Sequence, residues 1–267
     1  MSELPKSILT GVNEIINKQL FIGNQFKEFR YKQKRSCNQL SKNPPNEFDG
    51  VALIEAIYAT IENNLNKRPD RKVSSKNWKV RSSDDNKSIK TSKHNTSDEV
   101  TLERAIVEKW PTKWTYQMPV ASGIFGSNSD KRRAIDLVHS NKNGDFEFVE
   151  LKMTSDTPLY AAMEILGYGL VYLASRRDSA KNLKYNDKTL PVLKAEKISL
   201  CLLAPEEYYE KCNLKWLQIA INEGLKNITK DDFDLSFRFE KFEPEFKWNH
   251  KMSYIDLPEL LVRNSVY

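Results

Sequence analysis

Residues 132–168 read RRAIDLVHSNKNGDFEFVELKMTSDTPLYAAMEILGY, and this stretch decides the fold. AIDLVHS (Ala134–Ser140) and FEFVELKM (Phe146–Met153) are short apolar runs with strand character, and the NKNGD between them has the Asn and Gly content of a turn. So short a turn joins antiparallel neighbours. TPLYAAMEILGYGLVYLAS (Thr157–Ser175) then follows, with Glu164 its only charge. Its length approaches that of a membrane span. The carboxylate at its centre and its several tyrosines predict instead a helix buried against a sheet.

The two strands carry chemistry as well as packing. Asp136 comes from the first and Glu150 from the second. Lys152 stands two places beyond Glu150, so on a strand it points to the same side. Two acids and a lysine on neighbouring strands form a site for a divalent cation and a phosphate, because magnesium takes hard oxygen ligands. Lys152 is then expected to orient or activate an attacking water, or to offset charge on the phosphate. An isolated pattern of this kind also fits an ion pair across a hairpin. Glu164 shares a helix face with Tyr160 and Tyr168, and a carboxylate there needs a cation, a metal or a donor. His139 lies three past Asp136, on the other strand face. Gln117 lies on a neighbouring strand. Lys131, Arg132 and Arg133 precede the Asp136 strand, where they suit a phosphate.

Outward from this stretch the chain alternates helix and strand. Ser97-Asp98 caps a helix that runs to Trp110 and is stopped by Pro111. Trp114–Ala121 is a first strand, and Lys197–Pro205 (KISLCLLAP) is a central apolar one. EEYYEKCNLKWLQIAINEGL is a helix, and DLSFRFEKFEP is a strand with one wet face. The order is helix, three strands, helix, strand, helix, strand, an α/β sandwich with a mixed sheet. Residues 1–66 are mainly helical, with helices expected over Ser7–Phe21 and Gly50–Leu65. Residues 67–98 are polar, Ser-, Lys- and Asn-rich, and read as a mobile linker or insertion in which Trp78 and Val80 pack locally or meet a partner. Residues 99–267 form the main domain.

The formal net charge is +6, and all of it lies in residues 1–99, which hold 18 basic and 12 acidic side chains; from Val100 on there are 24 of each. The excess concentrates in Lys27–Arg35, which includes Arg30, Lys32, Lys34 and Arg35, and in Lys67–Lys93. Such patches attract phosphate backbones without reading sequence; an ordinary solvated surface has the same composition. Three cysteines, Cys37, Cys201 and Cys212, make no CxxC pair. Neither a disulfide framework nor a cysteine-held zinc or iron–sulfur site is indicated, and with no secretion signal evident a reducing cytoplasm is expected. P-loop, GxGxxG and GxSxG motifs are absent.

The element order together with Ala134-Ile135-Asp136 and Glu150-Leu151-Lys152 resembles the PD-(D/E)xK nuclease superfamily, the restriction-endonuclease-like fold. The likeness covers roughly residues 99–205, and the proline of the "PD" element is missing. The resemblance implies an αβββαβ core with a mixed central sheet flanked by helices, here with a helical basic N-terminal region added. It implies a Mg²⁺-dependent endonuclease, with Mn²⁺ as substitute cation, acting on double-stranded DNA through Asp136, Glu150 and Lys152. Double-strand cutting favours a homodimer. Metal ligands would be Asp136, Glu150, the Leu151 backbone carbonyl and an upstream helix acid, Glu103, with Glu99 and Glu108 as competitors for that role. Glu164 and Tyr168 are similar to the QxxxY motif of RecB-like nucleases, with Glu where Gln is usual. Gln117, on the first strand, either fills the sheet or supports the site by touching substrate. A catalytically inactive nuclease-fold module that only binds nucleic acid or protein in a defence or repair complex is the alternative.

Overall fold

β2 (Ala134–Ser140) and β3 (Phe146–Leu151) pair antiparallel, with Leu137 opposite Val149 and Ser140 opposite Phe146. Asn141 organises the turn between them: its Oδ1 accepts from the N–H groups of Asn143 and Asp145. Gly144 takes the left-handed conformation, φ 81°, that such a turn requires. β1 (Trp114–Pro119) adds antiparallel to β2. A parallel partner for β3 needs a crossover, supplied by a 21-residue helix, α6 (Pro158–Asp178), which leads to β4 (Lys197–Ala204). β5 (Asp234–Phe242) is parallel to β4, and β6 (Arg263–Ser265) closes the edge antiparallel. The result is an open, mixed, six-stranded sheet in the order β1 to β6.

The computed structural model describes residues 4–21, 29–69, 71–72, 74–89, 94–141, 143–178, 185, 190–230 and 232–267. Parts of the basic stretches 27–35 and 67–93 lie outside them. Before the sheet come α1 (Val12–Leu20), α2 (Lys34–Lys42), α3 (Gly50–Asn66), α4 (Ser83–Lys87) and α5 (Asp98–Lys109). Between β4 and β5 lie a single turn, α7 (Glu206–Tyr209), and α8 (Lys215–Thr229).

Apolar residues sort into two cores, one on each face. α5 and the segment from Phe242 to Leu257 cover Leu137, Val149, Leu151, Cys201 and Leu203. On the opposite face α6 and α8 cover Val138, Phe148, Leu200, Leu202 and Phe237, and α1 and α3 join the same core behind them. α3 meets α8 main chain to main chain: a Cβ on Gly50 would overlap the Ala220 carbonyl, and one on Gly224 would overlap that of Gly50. α1 is held to α3 by Asn64, whose amide donates to the Ile8 and Thr10 carbonyls. Tyr31 is tied to α1 through Asn13 and Asn17. Within the polar stretch 67–98, Trp78 is wholly buried against Phe148 and Tyr172, both distant in sequence.

Four expectations change. The first helix starts at Val12, because Gly11 adopts φ 82° and the preceding residues form turns. The helix expected over 206–225 is broken at 210–214. Strand β6 has too little apolar pattern to be seen in sequence. The cysteines do pair: Cys37 of α2 is disulfide-bonded to Cys212 in that break, across 175 residues. No local spacing announces such a contact, and it removes the ground on which a reducing compartment was expected. Among the described residues no helix is long and apolar enough to cross a membrane.

The pairing leaves Cys201 as the one free thiol. Protein denatured without reductant should therefore take up one equivalent of iodoacetamide, and three after reduction, as read by intact mass. Three equivalents in both cases would refute the bridge.

Candidate active site

Asp136 stands where the β2–β3 pairing ends. The Leu151 N–H, directed toward β2, donates to Asp136 Oδ2 at 3.0 Å, so the carboxylate continues the ladder that the backbone leaves. The other oxygen, Oδ1, accepts from Gln117 Nε2 at 3.1 Å, and the same amide nitrogen donates to Glu103 Oε2 at 3.1 Å. Gln117 holds φ 48° in the middle of β1, a left-handed conformation uncommon for a side-chain-bearing residue. A strand residue kept there by two carboxylate bonds is local strain of the sort that clusters at working sites.

Glu150 and Lys152 project from the end of β3 to the face covered by α6. Lys152 Nζ lies 2.8 Å from Glu150 Oε1, 3.7 Å from Glu164 Oε2 and 3.8 Å from Asp156 Oδ2. Glu164 in turn accepts from the hydroxyls of Tyr168 (3.2 Å) and Tyr160 (3.4 Å), its neighbours one helical turn away on either side. Glu99 Oε1 accepts from the Met153 N–H and the Ser155 hydroxyl, fixing the loop after Lys152. The sheet thus brings together Asp136, Glu150, Lys152, Glu103, Gln117, Glu164 and Tyr168. Of the three helix acids considered for the upstream position, Glu103 joins the cluster and Glu99 braces its loop. Glu108 lies apart, in a cleft with His250 and Tyr254. Leu151 enters through its N–H. Asp156, four residues past Lys152, was not singled out in the sequence because it sits in an irregular loop.

Five carboxylates, Asp136, Glu150, Glu103, Glu164 and Asp156, share one ammonium here, with Arg81 and Arg104 acting on Glu103 from outside the cluster. Burial, and then the charge of Asp136, push Glu103 and Glu150 well above the ordinary carboxylate range. Burial raises Asp136 to about 6 against the pull of Lys152 and the Leu151 N–H. Burial works against the charge on Lys152 too, but Glu150, Asp136 and Glu164 outweigh it and raise its pKa. Glu103 Oε1 and Glu150 Oε2 are buried without a hydrogen-bond partner among the described residues. Buried carboxylate oxygens left unpaired are costly. Hard oxygen donors with unspent lone pairs and excess negative charge fit a divalent cation.

A second group, Glu147, Cys201 and Glu240 on the opposite face, also places its donor atoms within 4.8 Å of one another and is of a composition that holds metals. Its charges are already matched. Arg238 pairs with both glutamates, and Arg263 Nη1 lies 2.7 Å from Glu147 and 3.1 Å from Glu240. The Cys201 thiol, its pKa raised by burial, donates to Glu240. A cation entering there would have to displace two arginines. His139 rests on Trp114 beside this group, lowered to about 4 by burial and by Arg263, and takes no part in the Asp136 cluster.

The basic residues divide. Lys32 and Arg133 line a cleft with Tyr31, Tyr160, Glu164 and Tyr168, immediately beside the carboxylates. Arg133 is also held by Asp130 at 2.8 Å. Lys34 lines a second cleft with Met153 and Asp156, whose carboxylate reaches Lys152 at 3.8 Å. Lys131 and Arg132 are exposed on the loop before β2, with Lys131 bonded to Asn128, and Arg30 and Arg35 are exposed on the N-terminal segment. Compared with protein-family models, curated proteins and solved structures, the chain matches none.

A cluster with excess buried negative charge should be stabilised by a cation and by neutralisation. The fold favours protonated Glu150, so the cost of this group is absent below about pH 4.5 and grows as pH rises above it. Glu150→Gln keeps an acceptor for Lys152 and removes that cost. At pH 7.5 without metal it should melt about 2–6 °C above the wild type, with the gap closing toward pH 4. Mg²⁺ should raise the wild-type melting temperature and do so less as pH falls through about 6, where Asp136 takes up a proton. Scanning fluorimetry measures both; no Mg²⁺ effect at any pH would count against a cation site.

Proposed function

We propose that this chain is a metal-dependent nuclease that hydrolyses phosphodiester bonds, with Asp136, Glu150 and Lys152 as its catalytic residues. The observation that carries the reading is the convergence of these three, from two strands, on buried carboxylate oxygens that lack partners. The sequence of helix, three antiparallel strands, crossover helix and parallel strand supports a restriction-endonuclease-like core. The position of the cluster at the carboxyl ends of β3 and β4, where open α/β sheets bind ligands, supports it too.

Asp136, Glu150 and Glu103, together with the Leu151 carbonyl, would hold Mg²⁺ or Mn²⁺. The cation, when bound, supplies Lewis-acid stabilisation of phosphate charge and a more acidic water. The protein's own groups do the positioning. Gln117 and the Leu151 N–H fix both oxygens of Asp136. Glu150, Glu164 and Asp156 surround the Lys152 ammonium and keep it charged, which suits it to orient water and offset charge on the phosphate more than to accept a proton. Tyr160 and Tyr168 hold Glu164 against that ammonium. Lys32, Lys34 and Arg133 flank the carboxylates on two sides, a disposition that suits a phosphodiester backbone; DNA is the substrate we propose.

Asp136→Ala and Lys152→Ala should each lower Mg²⁺-dependent cleavage of plasmid or oligonucleotide DNA by at least about 10²–10³-fold while the circular dichroism spectrum is retained. Full activity in both purified variants would refute the assignment. Lys32→Ala combined with Lys34→Ala should weaken DNA binding and flatten the dependence of log affinity on log salt by about one to two phosphate contacts, measured by fluorescence anisotropy.

A further inference from the structure

One buried polar atom beside this site is absorbed by nothing described so far. Tyr208 stands on α7, the single turn directly after β4. Its main chain is set by Pro205, whose carbonyl accepts the Tyr208 N–H at 3.1 Å. The next residue, Tyr209, locks the turn to the sheet: its hydroxyl donates to the carbonyls of Leu202 and Glu240, each at 2.8 Å. Tyr208 packs edge-on against that ring, centroids 5.5 Å apart. It is therefore carried on a turn that is braced to the sheet.

There the Tyr208 ring joins the wall of the cleft formed by Lys34, Met153, Asp156 and Thr157, a space of about 290 Å³. Its hydroxyl oxygen is buried and has no hydrogen-bond partner among the described residues. Lys152, Asp156, Glu99 and Glu150 are the charged groups that act on it electrostatically, so it lies within the field of the candidate catalytic lysine. Packing explains the ring, and a phenylalanine would pack as well. It does not explain the oxygen, whose burial without a partner is unfavourable. Burial also raises its pKa, which leaves it a donor and not a base.

We propose that Tyr208 is a further catalytic residue of this site, its hydroxyl donating a hydrogen bond to a non-bridging oxygen of the phosphodiester held beside Lys152. The inference rests on the nuclease reading above and adds a substrate contact to it. A donor placed in advance, in a partly water-excluded cleft and on a braced turn, strengthens as charge gathers on the phosphate oxygens. No proton is transferred; the phenol keeps its hydrogen throughout.

Tyr208→Phe tests this, because it removes only the oxygen. With Mg²⁺ and a saturating oligonucleotide substrate, kcat should fall about 10- to 10³-fold with KM little changed. Calorimetric Mg²⁺ affinity should match the wild type, and the melting temperature should equal or exceed it, because an unpartnered buried oxygen is removed. Cleavage by Tyr208→Phe equal to that of an active wild type would overturn this inference and leave the nuclease reading standing. So would a loss that tracks weakened Mg²⁺ binding or a lowered melting temperature, since the hydroxyl would then be structural. A wild-type protein with no metal-dependent cleavage would overturn both.

Discussion

A single hydrogen bond, from the Leu151 N–H to the Asp136 carboxylate, joins the architecture of this protein to its chemistry. It stands where two antiparallel strands part, and a side chain takes the donor that a backbone carbonyl leaves. The bond fixes Asp136 against β3, so Glu150 and Lys152, its neighbours along that strand, are brought within electrostatic reach of it. It also helps keep Asp136 ionisable despite its burial. Gln117, Glu103 and the α6 pair of tyrosines are arranged around that point.

The two buried polar groups of the sheet show how charge balance separates a ligand site from a structural network. Glu147 and Glu240 meet two arginines and leave no net charge, and Cys201 contributes a protonated thiol. Such a network holds β3, β5 and β6 together with its own charges. The Asp136 cluster has five carboxylates to one lysine, and two oxygens with no donor among the described residues. Composition alone makes the first group look as suitable for a metal as the second; counting the cations already present reverses that order.

Much of the fold and of the site was legible in the sequence because both depend on period and sign. Strand parity put Glu150 and Lys152 on one side, the short Asn-Gly turn made β2 and β3 neighbours, and a lone carboxylate in an apolar helix marked Glu164 as partnered. What stayed hidden depends on contacts between distant residues or on single backbone angles. Trp78 is polar-flanked and still buried, because α6 and β3 supply its surroundings. The Cys37–Cys212 bridge breaks a helix whose amphipathic pattern runs through the break. Gln117 gives no sign in its neighbours of a left-handed conformation, and Tyr208 lies in a run of glutamates and tyrosines where either ring looks equally suited to packing.

The glycine crossing of α3 and α8 has a bearing on how the margin of the cleft is held. With only main chain between them, the two helices cannot slide past one another without collision. α3 holds α1, α1 holds Tyr31, and Tyr31 precedes Lys32, so the basic margin of the cleft is braced through main chain and short amide bonds to the same sheet that carries Asp136 and Glu150. The main chain beneath Lys32 is thus tied to the same scaffold as the carboxylates, while the exposed lysine side chain keeps its own freedom of reach.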